Sequence, residues 1–359
     1  MPAPLSAIDA VTPAFEQTGR QLFRPFRFGR WWRMAVLALL TGEFSGGSGL
    51  NFTNFTPSSS RGGGDKDDDF FFLASGPSWD QVMDFLPLIL IGVAFALVVL
   101  LLFTYIASVL RFVLLDSVLH DRCRLREGWS RWQPLGSSYF LWQAGFLFAV
   151  FGGFAILVGI PVWFAWQVGA FSKPGDHIGL LILGGVAVFF VGLGWLFLTA
   201  LVGFFTKDFV VPVMAMEDID TLAAWRRVWP MLTGNKMDYL GYLLMKIVLA
   251  IGSAIMFGII NLIVILLLAI PLVIAGLFLW GAGAALGLTW NVVTIALAIL
   301  AGFLVGAVIL FITSLISAPA AVFFQSYNLH FFGARYAPLG AILFPPPPVE
   351  PAPAPGPAA

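Results

Sequence analysis

Residues 239–270, YLGYLLMKIVLAIGSAIMFGIINLIVILLLAI, carry a single charged side chain, Lys246, and decide the class of fold. A hydrocarbon layer about 30 Å thick is crossed by about 20 apolar residues in a helix that rises ~1.5 Å per residue. The stretch exceeds that length, and a long apolar run of this kind is typical of a transmembrane helix. We therefore predict an integral membrane protein.

Four further stretches pass the same length test, and the composition of the whole chain agrees with them. Of the 359 residues, 59% are hydrophobic and only 11% are charged, which is typical of membrane proteins. The fold class is thus all-α integral membrane. The four additional predicted spans are residues 85–110, 139–168, 178–205 and 292–324.

Two segments are ambiguous. A sixth span within residues 31–50 is weaker, because Arg33 and Glu43 interrupt its apolar run and glycines follow. Residues 271–290 are a re-entrant hairpin, a buried loop or a seventh span. Their proline and many glycines favour a loop covered by protein over a helix exposed to lipid. The sequence therefore predicts about six transmembrane helices.

The distribution of charge predicts the orientation, since lysine and arginine favour the cytoplasmic side of short loops. With six spans, most basic residues lie on one side, and the opposite side is acidic. Both termini should then be cytoplasmic. The basic set is Arg20, Arg24, Arg27, Arg30, Arg33, Arg111, Arg122, Arg124, Arg126, Arg131, Lys207, Arg226, Arg227, Lys236 and Arg335.

Segments 112–135 and 209–232 resemble each other: each begins with Phe-Val and carries a tryptophan pair beside arginine. The start of the chain, where phenylalanine alternates with arginine, resembles them more distantly. We predict three repeats, each an interfacial amphipathic helix followed by a transmembrane hairpin. The predicted boundaries are one membrane domain at 1–339, repeat units at about 8–110, 112–208 and 209–330, a periplasmic loop at about 44–83, and a proline-rich disordered tail at 340–359.

The tryptophan and arginine residues of these segments are candidate interfacial residues. Aromatic rings settle at the level of lipid headgroups, and arginine pairs with lipid phosphate. The helices either anchor the domain or form a lateral lipid-headgroup site or docking face. The candidates are Trp129, Arg131, Trp132, Trp225, Arg226, Arg227 and Trp229.

A second candidate site is polar and lies within the membrane. Asp238, Tyr242 and Lys246 share one helix face at spacings of four residues, and Asn261 follows in the same span. Charged residues inside spans indicate function by default. The interpretation favoured for Lys246 is that it snorkels to the interface, which predicts that Lys246→Met leaves folding intact; the alternative is a polar crevice or a phosphate site.

The chain resembles a superfamily of bacterial and archaeal polytopic membrane domains that includes the membrane domain of some glycerophosphoryl diester phosphodiesterases. The matching segments are 112–129, 224–250 and 317–339. The resemblance implies a fold and a location in the bacterial inner (plasma) membrane. It implies no catalytic residue, because the chain carries no phosphodiesterase domain.

We find no motif for catalysis, for a cofactor or for a metal. His120, His177 and His330 are scattered, and the acidic run at 65–69 lacks the glycine and terminal glutamate of a calcium loop. We therefore predict a non-enzymatic scaffold, lipid-interacting protein or accessory subunit, with membrane lipids and other membrane subunits as partners and no nucleic acid. The alternative is a transporter or channel for a small or lipid-like substrate.

Overall fold

The structure is a computed structural model that describes residues 5–43, 79–120, 125–172, 175–285 and 292–345. Within these residues the chain forms α-helices, one π-helical turn at Thr206–Val210 and no β-strand. The helices are α1 (Val11–Leu22), α2 (Phe28–Thr41), α3 (Trp79–Leu119), α4 (Leu125–Gln167), α5 (Ile178–Phe205), α6 (Val211–Glu217), α7 (Thr221–Gly234), α8 (Lys236–Ala285), α9 (Val292–Gly333) and α10 (Ala337–Leu343).

Five of these segments are long and apolar enough to cross a membrane, namely Leu90–Leu119, Leu125–Gln167, Ile178–Glu217, Lys236–Leu279 and Ala296–Gly333. Apart from position 168, the last residue of one span, each of the five predicted spans lies within one of the long helices, and four of these helices extend beyond the predicted bounds. Helix is the form expected there, because every backbone polar group in hydrocarbon must be satisfied within its own segment. In the most apolar window of each helix, at most 6% of the residues are buried. These windows therefore present their side chains to lipid.

The prediction of a packed loop at 271–290 is wrong for the part that the structure describes. Helix α8 runs without a break through Pro271 to Ala285. Its side chains there are exposed: Ile274 by 62% and Leu279 by 71%. Proline and glycine break helices in water, but an apolar environment enforces helical hydrogen bonding around them. Residues 286–290 lie outside the described part of the chain.

At one end, the long helices converge with the short ones into a buried core, which we call the packed head. It comprises α1, α2, α6, α7 and α10 and the adjoining ends of α3, α4, α5, α8 and α9. Phe209 lies at its centre, with ring centroids of Tyr239, Tyr242 and Phe332 within 5.2 Å. Since α3, α5 and α9 end at the head while α4 and α8 begin there, long helices that follow one another in the chain run in opposite directions.

The N-terminal helix is fixed to the head by polar contacts. Gln17 and Gln21 both donate side-chain amide hydrogens to the carbonyl of Val118, at 2.9 and 2.6 Å. This carbonyl belongs to the last turn of α3, where helical carbonyls lack partners of their own. Ser326 of α9 donates to Gln17 at 2.6 Å. Helix α1 therefore joins the ends of α3 and α9.

Helix α2 lies inside the bundle rather than across it. It has 14 residues, and Met34, Leu37 and Ala38 are buried against its neighbours. Ser314 in α9 donates to the carbonyl of Ala35 at 2.6 Å. About 20 residues are needed to cross a bilayer, so α2 by itself is too short. The rest of the predicted span at 31–50, and the predicted loop at 44–83 as far as residue 78, lie outside the described residues.

Two predicted boundaries need correction. The interfacial helix expected within 112–135 is not separate, because residues 125–138 are the first turns of the long helix α4. The tail does not begin at residue 340, since α10 continues to Leu343 and buries Leu339 against the core. In the first case burial of Trp132 and Leu135 extends the helix, and in the second the apolar residues before the proline run continue α10. Residues 346–359 lie outside the described part.

One close approach between helices can be tested. A Cβ atom on Gly136 of α4 would lie 2.8 Å from the Cα atom of Val109 in α3, whereas one on Gly145 would meet no atom within 4 Å. We expect Gly136→Ala to lower the free energy of unfolding by about 1–3 kcal/mol through overpacking. Gly145→Ala is the matched control and should not destabilise the protein. Thermal unfolding in detergent measures both, and equal midpoints for the two variants would contradict this packing.

Candidate functional site

Helix α2 ends inside the head and delivers an acidic residue there. Gly42 follows its last turn with φ of 72°, a left-handed conformation that glycine adopts without the penalty of a Cβ atom. The turn brings Glu43 into the interior, where the residue is 4% exposed. Its carboxylate lies 2.7 Å from the ammonium nitrogen of Lys207. The end of α2 is therefore tied to the π-helical turn.

The π-helical turn places two adjacent charged residues in the interior. Lys207 is 7% exposed and Asp208 is 3% exposed. Lys207 pairs with Glu43, while Asp208 accepts from residues of α8. The extra residue of a π-helical turn changes the directions of the side chains around it, and such turns are frequent at functional sites.

Helix α8 supplies the partners of Asp208. One carboxylate oxygen accepts from Lys246 Nζ at 2.5 Å and from Tyr242 Oη at 3.0 Å. The backbone carbonyl of Asp208 accepts from the amide of Asn328 in α9 at 2.6 Å. The predicted snorkelling of Lys246 is wrong: the residue is 3% exposed, and its ammonium group pairs with the buried carboxylate of Asp208.

Arg111 of α3 completes the arrangement. It is 8% exposed and donates to Tyr139 Oη in α4 at 2.5 Å and to the carbonyl of Thr41 at 3.1 Å. That carbonyl is at the C-terminal end of α2, where the helix dipole favours a positive charge. Tyr139 in turn accepts from Gln143 at 3.3 Å. Arg111 thus links α2, α3 and α4.

We call Glu43, Arg111, Lys207, Asp208 and Lys246 the charge cluster. Three cations and two carboxylates give it a net charge of +1. Arg111 lies eight residues before the end of α3, Asp208 lies nine residues before the end of α6, and Lys246 lies ten residues after the start of α8. At 1.5 Å per residue, each is about 12–15 Å from the head-side end of its helix. The cluster therefore occupies one level of the head, next to the lipid-facing parts of the helices.

The structure separates the predicted polar site into parts. Tyr242 and Lys246 lie together on Asp208. Asp238 is half exposed and pairs with Arg335 at 3.1 Å. Asn261 is 15 residues beyond Lys246, about 22 Å along the helix, and donates to Ser317 at 3.4 Å. Of the four predicted residues, Lys246 therefore belongs to the charge cluster, Tyr242 is bound to it through Asp208, and the other two make separate contacts.

The first set of predicted interfacial residues is only partly at the surface. Trp132 is 5% exposed and stacks on Phe112, with centroids 6.0 Å apart, so it is a core residue. Arg131 is exposed and lies 4.8 Å from the centroid of the Trp132 ring. Trp129 is partly buried beside Tyr105. The aromatic rings of this set belong to the packing of the head more than to its surface.

The second predicted set lies on α7. Trp225 packs partly against the core, while Arg226 is exposed and Trp229 is 61% exposed. Arg227 lies 3.2 Å from the carboxylate of Glu217. Glu217 also accepts from Tyr336 at 2.7 Å, where burial and the nearby carboxylate raise the pKa of the tyrosine. These contacts tie α7 and the chain before α10 to the end of α6.

Sequence reasoning missed four of the five residues of the charge cluster. It assigned Arg111 and Lys207 to loops as orientation signals, and it treated Glu43 only as an interruption of the weak sixth span. Their helices extend well past the apolar stretches, so both basic residues are buried inside helices. One signal was available for Asp208: it is followed directly by the apolar run Phe209–Met214, which is typical of a buried segment.

The cluster also defines what chemistry is available. Among the described residues, no three His, Cys, Asp or Glu side chains come together as metal ligands do. The cluster combines ammonium, guanidinium and carboxylate groups, and the phenols of Tyr139 and Tyr242 bind to it. Such an arrangement can hold helices in register or balance the charge of an ion.

Removal of one partner tests the pairing. We expect Lys246→Met to destabilise the protein by about 3–5 kcal/mol, because it leaves the Asp208 carboxylate buried without a counter-charge. Lys246→Met combined with Asp208→Asn should recover much of that loss. Thermal unfolding in detergent gives both values. Wild-type stability of the single variant would show that the two side chains are not paired.

Comparison with known proteins gives one match. No curated protein and no solved structure matches the chain. Residues 5–342 match the family of unknown function DUF7544, so the matched region includes every helix of the head except the last residue of α10. A match over nearly the whole length establishes membership, and the chain is a member of the DUF7544 family.

Proposed function

We propose that the protein is a non-catalytic membrane scaffold. The observation that carries this proposal is that the charge cluster is closed to solvent and paired within the protein. Its five residues are 3–8% exposed, and each charged group faces a partner from the protein. Breaking a buried pair is costly, so a closed cluster holds its helices in one arrangement. A fixed interior suits a scaffold better than it suits an ion pathway.

The lipid-facing parts of the long helices supply the surface on which such a scaffold would act. Phe148 is 78% exposed, Trp166 is 73% exposed and Phe278 is 76% exposed. Lipid and the helices of other membrane subunits are the partners that an apolar surface of this kind accepts. We therefore propose membrane lipids and other membrane subunits as partners, with the role of an accessory subunit.

A transporter or channel is the second candidate. It is favoured by the presence of Arg111, Lys207 and Lys246 within long apolar helices, together with a π-helical turn. Ionisable residues within spans mark ion and substrate pathways in many membrane proteins. On this proposal, the cluster would open to water in another conformation.

Cysteine accessibility distinguishes the two candidates. Cys123 is the one cysteine of the chain, so Cys123→Ser gives a background without thiols. On the scaffold proposal, Lys207→Cys and Lys246→Cys stay unlabelled by a membrane-impermeant, water-soluble thiol reagent, because both positions are buried. The exposed Arg226→Cys is the matched control and should be labelled. Labelling of both cluster positions at the control rate would favour a pathway.

The arrangement of the chain ends supports the finer topology. We propose six crossings as three repeats, with both termini in the cytoplasm of a bacterial cell. Residues 5–43 lie at the packed head, and so does the end of α9, where Arg335 donates to the carbonyl of Leu5 at 2.8 Å. Helix α3 approaches the head from the opposite end. These positions support the proposal of an even number of crossings.

Reporter fusions test this topology. We expect a fluorescent protein that matures in the cytoplasm to be bright on both termini, and alkaline phosphatase to be inactive on both. A phosphatase inserted between Gly169 and Ala170, at the turn that follows α4, is the control and should be active. Opposite results for the two termini would mean an odd number of crossings.

The resemblance to the membrane domains of glycerophosphoryl diester phosphodiesterases stays a prediction. It agrees with the proposed scaffold in one respect, since those domains would likewise be non-catalytic partners of a separate activity.

A further inference from the structure

We propose that residues 20–33, the basic aromatic segment, bind the headgroup of an anionic phospholipid. The segment, RQLFRPFRFGRWWR, joins α1 to α2 and lies apart from the charge cluster. The inference rests on membrane embedding, as the proposed function does, but it is independent of whether the cluster is closed.

The composition of the segment gives it a positive charge. Five arginines occur at roughly every third position, and no acidic residue lies between Glu16 and Glu43. Residues 23–29 are all exposed. Guanidinium groups bind phosphate oxygens through paired hydrogen bonds. The exposed positive charge therefore complements a phosphodiester.

The phenylalanines of the segment are exposed, as its arginines at positions 24 and 27 are. Phe23 is 53% exposed, Phe26 is 59% exposed and Phe28 is 60% exposed. Exposed aromatic side chains among arginines are unfavourable in water but typical of a membrane interface, where the ring reaches the acyl chains and the cation reaches the phosphate. This combination favours a lipid over a free anion.

The segment is held in one shape by its own contacts. The rings of Phe23 and Phe26 pack on Trp31, with centroids 5.2 and 5.4 Å from its ring. Arg30 donates to the carbonyl of Gln21 at 3.2 Å. A preformed loop loses less conformational entropy when it binds a ligand. The phenylalanines and arginines are thus positioned before a lipid arrives.

The depth of the segment is fixed by Trp31. Its indole N–H donates to the carbonyl of Leu315 in α9 at 2.9 Å. Leu310, one turn earlier in α9, is 57% exposed, whereas Ala318 is fully buried. Leu315 therefore marks the level where the lipid-facing surface of α9 ends and the packed head begins. Lipid phosphates are expected at such a boundary.

Native mass spectrometry of the full chain in detergent can measure the binding directly. The ligands are dioctanoyl phosphatidylglycerol, dioctanoyl phosphatidylcholine and inorganic phosphate. We expect tight binding of phosphatidylglycerol, weak binding of phosphatidylcholine and no saturable binding of phosphate. Saturable binding of phosphate that displaces phosphatidylglycerol would overturn the proposal in favour of a free-anion site.

The variant Arg20→Gln, Arg24→Gln, Arg27→Gln tests the position of the site. These side chains are exposed, so thermal unfolding should be unchanged. We expect a loss of affinity for phosphatidylglycerol of roughly tenfold to a hundredfold. The matched control is Arg126→Gln, Lys236→Gln, two exposed basic residues elsewhere in the head, and it should change the affinity less than about threefold. Equal losses in the two variants would overturn the proposal.

A photo-crosslinker gives a readout that does not depend on affinity. With Phe26→p-benzoylphenylalanine in nanodiscs of phosphatidylcholine and phosphatidylglycerol, we expect adducts enriched in phosphatidylglycerol. The same residue at Phe148 on α4, in the apolar region, should crosslink both lipids in proportion to their abundance. Adducts at position 26 without enrichment would overturn the assignment. If this test fails while Lys207→Cys and Lys246→Cys stay unlabelled by the thiol reagent, the lipid-site proposal is overturned and the scaffold proposal is not.

Discussion

Five charged side chains are enclosed in a head whose core is mostly apolar, and the rest of the head depends on their pairing. An isolated charge in such surroundings costs several kcal/mol, so each one requires a partner at short range. Glu43 and Lys207 satisfy one another, as do Asp208 and Lys246. Because these partners come from α2, from the π-helical turn and from α8, the pairing fixes where each of these segments must lie.

The packed head is built from the part of the long helices that exceeds the thickness of a bilayer. The five long segments have 30 to 44 residues, whereas a bilayer needs about 20. The surplus lies at one end, where short helices cover it and aromatic residues fill the space between. Phe209 and its neighbouring rings provide the apolar contacts. The polar contacts of Gln17 and Arg335 close the outside of the head. One chain thus combines a lipid-solvated part with a core like that of a globular protein.

The sequence predicted the apolar spans well and the site poorly, for different physical reasons. The length of an apolar run determines a span, so residues 178–205 were assigned with the bounds that α5 has in the structure. Pairing of charges depends instead on contacts between distant segments: Glu43 and Lys207 are 164 positions apart. The π-helical turn has no sequence signature in this chain. Lys246 was singled out, but its partner Asp208 lies on another helix, and helical periodicity cannot identify it.

The docking of residues 5–43 has a consequence for biosynthesis. These residues are translated well before Val118, Leu315 and Ser326, which α1 and α2 contact. Until α9 has been inserted, Trp31 has no acceptor at Leu315 and Gln17 has no donor at Ser326. Helices α1 and α2 can therefore complete their docking only after α9 is in place. A segment that is translated before its partners is thus among the last to reach its final position.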